Sequence, residues 1–386
     1  MRRITNLCLP APLSSKDKQK PSTILLDEEE TIIGIDDLAG NQSFNNSQSW
    51  NGDFLSPMGL DIQINGGLGL SFSDIHSISL EKISELQYHL WEDGIEAICP
   101  TIISCNLNSL RSGLSVLRQA RLIKDSNKCE ILGAHLEGPF LKDIRKGAHP
   151  EEHLSIPNLQ SLEARINGFE NEIALMTIAP EISGAFAVIE RLNELGVKTS
   201  IGHSEADDVI AKNAFKQGVS MLTHTFNAMP PLLHRSPGPI GEALINGNVF
   251  IGLIADGIHV HPTMAVLLQR LAKDQMFLVS DAISAYGLGD GVYKWDERKV
   301  TVDNFSCHLE DGTLAGSTLP LLEAVKKLAK WSAEPSASIW SATVSPRLAL
   351  GHFEDLNEYL LGKPLKKLLR WRMNEADNEL FWEHAS

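Results

Sequence analysis

VFIGLIADGIHVHPTMAVLLQRLAKDQMFLVSDA, residues 249–282, sets two short apolar runs on either side of an amphipathic segment. VFIGLIADG and FLVSDA are continuous rather than alternating, as expected of strands covered on both faces. Between them, HPTMAVLLQRLAK carries its apolar residues at helical spacing. Strand, helix and strand in this order make a parallel unit, because parallel neighbours need a crossover long enough to return the chain.

The unit repeats outward. The runs MGLDIQI, AICPTIIS, ILGAHLEG, ALMTIAPE, KTSIGHS and SMLTHTFNAM precede the pair above and bring the total to eight. SLEKISELQYHLWEDG, AFAVIERLNELG and EADDVIAKNAFKQG keep the helical spacing between runs, and LPLLEAVKKLAKW follows the last. Eight units predict an α/β fold, a closed (β/α)8 TIM-like barrel, over residues 51–351. The flanks differ. STILL and ETIIGI are strand-like, NQSFNNSQSWNGD reads as a loop or linker, and LLRWRMNEADNELFWEHAS reads as two alternating strands around a polar turn. Residues 1–50 and 352–386 are therefore expected to build one small β-domain beside the barrel.

Composition narrows the classes of function. The 386 residues carry a formal net charge of −15, which disfavours nucleic acid and anionic membrane surfaces as partners. An anionic substrate would need a local basic pocket. No run approaches the ~18 apolar residues of a membrane span. The first twenty residues lack the apolar core of a secretory signal. Cys8, Cys99, Cys105, Cys129 and Cys307 form no C-x-x-C pair and fit a reducing cytoplasm.

Chemistry is expected where the runs end, at the C-terminal rim of such a barrel. The third run ends in Glu137, the fifth carries His203, the sixth His224, the seventh leads to His259 and the eighth ends in Asp281. A lone glutamate at a strand end is more often solvated, and a lone histidine in an apolar strand more often packed. Five polar groups at matching positions point instead to a site. Two histidines and one glutamate form a known catalytic set for Zn²⁺ with a fourth position open to water. Asp281 has the chemistry of a general base that takes a proton and returns it to a leaving group.

HLEGPF, KGAHP, TIAPE, GHSEA, THTFNAM, ADGIHV, VSDA and DGTLAGS, in this order and spacing, resemble the N-acetylglucosamine-6-phosphate deacetylases of the amidohydrolase superfamily. The likeness runs from Pro57 to Gly351. It implies one divalent metal held by Glu137, His203 and His224, expected to be Zn²⁺ with Fe²⁺, Co²⁺ or Mn²⁺ as alternatives, and Asp281 as catalytic acid and base. It further implies that Asn227, Ala228 and His259 contact a sugar phosphate, and that the backbone of Leu314, Ala315 and Gly316 lies against the sugar. Ala148 and His149 would line the acetamide side, with His149 polarising the carbonyl. Arg235 would reach the phosphate from the neighbouring subunit of a homodimer.

The implied reaction is deacetylation of N-acetyl-D-glucosamine 6-phosphate. The alternatives are a related N-acyl sugar phosphate, such as N-acetylgalactosamine 6-phosphate, or a cyclic amide. A cyclic-amide hydrolase would normally carry H-x-H after the first strand and a lysine after the fourth, where this chain has Gln63-Ile64-Asn65 and TIAPE. Amides are poor zinc ligands beside imidazole, so one metal is expected rather than two. His135 is open to a supporting or a packing role, and His234 and His261 are expected to face solvent. SAYGLGDG, 284–291, reads as a Gly-rich surface loop or a lid, and the seven tryptophans as core or interface.

Overall fold

The computed structural model describes residues 1–16, 20–36, 46–74, 80–296, 298–352, 355–374, 377 and 379–386. Part of the expected linker, 41–45, lies outside them.

Eight parallel strands form the barrel: Gly59–Ile64, Ile95–Ile103, Ala134–Glu137, Ile173–Ile178, Lys198–Ile201, Met221–Leu222, Phe250–Leu253 and Met276–Leu278. They lie within the eight apolar runs or extend them by a residue or two. Backbone pairing runs unbroken from the first strand to the eighth. Hydrogen bonds from single residues close the remaining seam. Asp281 N–H donates to Gln63 O at 2.9 Å, Asn65 N–H donates to Ala282 O at 2.6 Å, and the buried Asp61 carboxylate accepts from Ser280 N–H at 3.3 Å.

Inside the barrel, Leu60, Ile62, Ala97, Cys99, Leu175, Met221, Ile254, Phe277 and Val279 form one apolar cluster, joined by Ala349 and Leu350. Helices cover the outside with the stripe that their spacing dictates. Leu80–Glu92 buries Ile83, Leu86, Gln87, Leu90 and Trp91, and Leu321–Ser332 buries Leu321, Leu322, Val325, Leu328 and Ala329. Three further helices, Leu107–Leu122, Leu159–Ile166 and Gly238–Asn246, lie in stretches that the sequence reading left unassigned. Asn106 and Asn158 start the first two by accepting from the N–H three residues on.

Both chain ends meet in one sheet. Its path runs Glu379–His384, Leu368–Asn374, Phe54–Pro57, Arg2–Cys8, Pro21–Leu26 and Ile32–Ile35, with Ser47–Ser49 beside Arg2–Cys8. Phe54–Pro57 thus pairs in the small sheet, although its residues fall in the stretch expected for the barrel. Ser47–Ser49 is a strand within the polar run read as a linker.

One element is absent from the sequence reading. Gly291–Trp295, Arg298–Asp303, Ser306–Leu309 and Leu314–Ser317 form an antiparallel sheet inserted between the eighth strand and the helix Leu321–Ser332. Trp295, Val300, Val302, Cys307 and Ala315 pack it against Ile103, Ile283 and Ala285 at the rim. The start of SAYGLGDG is accordingly buried at Ser284, Ala285 and Tyr286, and only its end is exposed.

Candidate active site

A cavity of about 340 Å³ opens at the C-terminal rim. Glu137, His203, His224, Asp281, His149, His259, Asn227, Ala228, Leu314 and Gly316 line it, joined by Ala148. Most residues expected at the site therefore share one cavity. Ala315 turns its side chain into the core of the inserted sheet, as alternation along Leu314–Ser317 requires. Arg235 is exposed in a turn closed by the Leu233–Ser236 bridge and does not line this chain's cavity.

Three site residues stand where a strand gives way to a loop and adopt left-handed backbone: His203 at φ 48°, His224 at φ 28° and Asp281 at φ 49°. Non-glycine residues pay about 1–3 kcal/mol for such conformations, which cluster at functional sites. Gly138, after Glu137, has φ 88°, and a side chain there would collide with Ser104 Oγ.

The centre is a triangle of ligand atoms. Glu137 Oε1 lies 3.3 Å from His203 Nε2 and 3.1 Å from His224 Nε2, and the two nitrogens are 3.0 Å apart. Ligand atoms around one tetrahedral zinc lie about 3.3 Å apart, given bonds of about 2.0–2.1 Å. Two imidazole lone pairs at 3.0 Å repel unless a proton or a cation sits between them. Glu137, His149 and His203 also bring one ligand atom each within 4.8 Å of one another.

Hydrogen bonds separate the roles of these imidazoles. His203 Nδ1–H donates to Arg145 O at 2.8 Å, which leaves the Nε2 lone pair free to ligate. His149 is the reverse. Ser104 N–H donates to its Nδ1 at 3.3 Å, and Ser104 Oγ is 3.0 Å from the same atom. Neutral His149 then carries its proton on Nε2, which lies 3.7 Å from Glu137 Oε2 and is left free to donate elsewhere. His224 Nδ1 has no partner among the described residues.

Charge at the site follows burial and contact. Burial pushes the Glu137 carboxyl up, but the imidazoles of His149, His203 and His224 around it outweigh burial and hold the group well below the usual carboxylate range. Burial, then His203, pulls His149 down to about 4, so it is neutral near pH 7. Burial, then the Glu137 charge, lifts Asp281 to about 6.

Gln63 and Asn65 occupy the place of an H-x-H pair and act as donors. Gln63 Nε2 reaches Glu137 Oε1 at 3.0 Å and Asp281 Oδ1 at 3.2 Å, and Asn65 Nδ2 reaches Asp281 Oδ1 at 2.7 Å. A register shift between Asp61 and Ile64 turns them inward, since an extra residue reverses the alternation that puts Leu60 and Ile62 in the core.

His259 is anchored by Asp256, whose Oδ2 is 2.6 Å from Nδ1. His135 lies beneath the site between the hydroxyls of Thr101 and Thr177, in a packing position. His234 is exposed, and His261 caps the helix Pro262–Ala272. Trp295, expected as core or interface, also lines the cavity. Sequence reasoning missed Ser104 and Trp295, which no local motif marks.

No family model matches the chain. It is 32% identical over 352 residues to the N-acetylglucosamine-6-phosphate deacetylase of Vibrio furnissii, covering 91% of this chain and 87% of that protein. It is 31% identical to an N-acetylgalactosamine-6-phosphate deacetylase of Escherichia coli O157:H7, covering 78% of each. The solved N-acetylglucosamine-6-phosphate deacetylase of Thermotoga maritima superposes with a TM-score of 0.79 at 26% identity, covering 98% of this chain and 96% of that one. With the barrel, the rim cluster and likeness across nearly the whole length, the chain belongs to the N-acetylglucosamine-6-phosphate deacetylase family of amidohydrolases.

Proposed function

We propose that this chain hydrolyses the acetamide of N-acetyl-D-glucosamine 6-phosphate to D-glucosamine 6-phosphate and acetate. The supporting observation is the meeting of Glu137, His203 and His224 with Asp281 on one cavity wall. Glu137, His203 and His224 hold one divalent cation, and zinc suits their mixture of imidazole and carboxylate, with Fe²⁺, Co²⁺ or Mn²⁺ able to replace it. A cation bound there supplies Lewis acidity towards an oxygen and makes water more acidic. Asp281 takes the proton from the attacking water and delivers it to the amide nitrogen as the C–N bond breaks. His149 donates from Nε2 to the carbonyl oxygen. The backbone of Leu314, Ala315 and Gly316 borders the sugar, with Asn227, Ala228 and His259 towards the phosphate.

The phosphate supports a homodimer. Among the described residues, the cavity lining includes a single Lys or Arg, Arg145, and that side chain is already paired with Glu205. With a net charge of −15, the chain needs another cation for a sugar phosphate, and Arg235 of a second subunit supplies it through a planar fork suited to phosphate. Mixing Arg235→Ala and Asp281→Asn chains would then restore activity in heterodimers. No recovery there would exclude the shared site. The five cysteines are all unpaired, which supports a cytoplasmic setting. No helix among the described residues is long and apolar enough to cross a membrane.

The relative named as an N-acetylgalactosamine-6-phosphate deacetylase makes the C4 epimer a second reading. Acetate release by the metal-loaded protein from the two 6-phosphates decides. A higher kcat/KM on the gluco epimer is expected, a preference for the galacto epimer would reverse the assignment, and no release from either would reject the reaction.

A further inference from the structure

Asn65 directly follows the first barrel strand with its two amide atoms in different surroundings. Nδ2 donates to Asp281 Oδ1 at 2.7 Å. A carboxylate accepts only, so this contact fixes which amide atom is the nitrogen. Oδ1 is buried and has no hydrogen-bond partner among the described residues, although Asn65 is only 4% exposed and lines the cavity. Leaving such an oxygen unsatisfied costs about 1–3 kcal/mol. The register shift between Asp61 and Ile64 directs this side chain inward, and the Asn65 N–H bond to Ala282 O holds its backbone against the segment carrying Asp281.

We propose that Asn65 Oδ1 accepts a hydrogen bond from the substrate nitrogen and stabilises it as it becomes an ammonium. The proposal rests on the deacetylase reading above. Two donors come near Asp281 in that reaction, the attacking water and the departing nitrogen. Water loses positive character as Asp281 removes its proton, so an acceptor bond to it weakens along the reaction. The nitrogen gains positive character when the Asp281 carboxyl protonates it in the tetrahedral adduct. The C–N electron pair then passes to it, leaving a neutral amine and acetic acid, and the acid's remaining proton moves to the amine to give ammonium and acetate. An acceptor bond to nitrogen therefore strengthens towards the transition state, which is the condition for catalysis rather than mere binding. One amide then serves both partners of the proton transfer, holding the donor carboxyl through Nδ2 and receiving the amine through Oδ1.

The test compares the metal-loaded wild type and Asn65→Ala on N-acetylglucosamine 6-phosphate and on 2-O-acetylglucose 6-phosphate, an ester with no N–H. Metal content and melting temperature are recorded for both proteins. Asn65→Ala loses the hold on Asp281 in either reaction but loses the nitrogen contact only with the amide. Hydrogen bonds to charged groups contribute about 1.5–3 kcal/mol, so the amide-to-ester ratio of kcat should fall by roughly 10–100-fold. Equal losses on both substrates would leave Asn65 a positioning residue for Asp281 and overturn the proposal. Wild type that releases acetate from the ester but not the amide would instead reject the deacetylase reading. If Asn65→Ala does not fold, a crystal structure of the wild-type holoenzyme with glucosamine 6-phosphate decides. An amine nitrogen within about 3.5 Å of Asn65 Oδ1 is expected. A longer separation, or Oδ1 ligating a metal ion, would overturn the proposal.

Discussion

Glu96 and Glu137 lie on adjacent strands, one at the N-terminal foot of the barrel and the other at its C-terminal rim, and both are largely withdrawn from water. Their partners differ. Glu96 meets the Arg347 guanidinium, the Tyr359 hydroxyl and, at 3.1 Å, Lys363 Nζ. Glu137 meets three imidazoles and the Gln63 amide. The foot is neutralised by two permanent cations of the chain itself. The rim is supplied with hydrogen bonds but no fixed positive charge, an arrangement that a divalent cation completes. Buried carboxylates of one protein can thus be sorted by whether their positive partner is built in.

Substitution at the rim should have the largest effect. Glu137→Gln removes the charged member of the proposed metal site and is expected to leave metal content near zero by elemental analysis, with turnover reduced at least about 10³-fold. In chelator the variant should melt lower than wild type but by less than Glu96→Gln does, because the imidazoles around Glu137 carry no permanent charge to be stranded. A fall in chelator as large as that of Glu96→Gln would break the contrast.

Glu96→Gln should behave in the opposite way. It strands the buried Arg347 and is expected to cost about 3 kcal/mol in denaturant titration, with turnover of the folded fraction unchanged. The same pair sets an acid limit. Burial raises the Glu96 carboxyl, but Arg347 and then Lys363 outweigh it and bring it to about 2. A group depressed in the fold contributes fully above its unfolded value near ~4.3 and loses that contribution as pH falls towards 2, roughly 3 kcal/mol in all. That segment of the stability curve should vanish in Glu96→Gln.

Asp281→Asn keeps shape and removes the proposed base. Turnover should fall about 100-fold or more while metal content stays near one per chain, which separates proton transfer from metal binding at the rim. Tyr359→Phe removes one hydrogen bond from the foot and should cost about 1 kcal/mol with kinetics unchanged.

The barrel and much of its rim were legible because repetition amplifies weak signals. Eight continuous apolar runs agree with one another, and Glu137, His203, His224 and Asp281 each end one or follow it closely. The inserted sheet had no such support. Its strands are four to six residues long, and Arg298–Asp303 buries only alternate positions, a pattern too short to stand out beside the glycine-rich stretch before it. The helix Leu107–Leu122 escaped notice because Ser, Asn, Arg and Gly dilute its apolar stripe. Contacts between distant residues were invisible in principle. Nothing in the text of the sequence ties Glu96 to Arg347, or Ser104 to the tautomer of His149. Gln63 and Asn65 were legible as poor metal ligands, but their work as donors to two carboxylates needs the register shift that turns them inward.

The small sheet has a consequence for biosynthesis. Phe54–Pro57 sits between Arg2–Cys8 and Leu368–Asn374. Synthesis delivers the first two early and the third only after the whole barrel has been translated. For that interval one edge of Phe54–Pro57 offers unpaired N–H and C=O groups to any passing strand, the exposure that makes nascent β-structure prone to aggregation. A ribosome that stalls anywhere before Leu368 therefore holds a chain with a sticky edge, and chaperone demand should end when Leu368–Asn374 clears the exit tunnel.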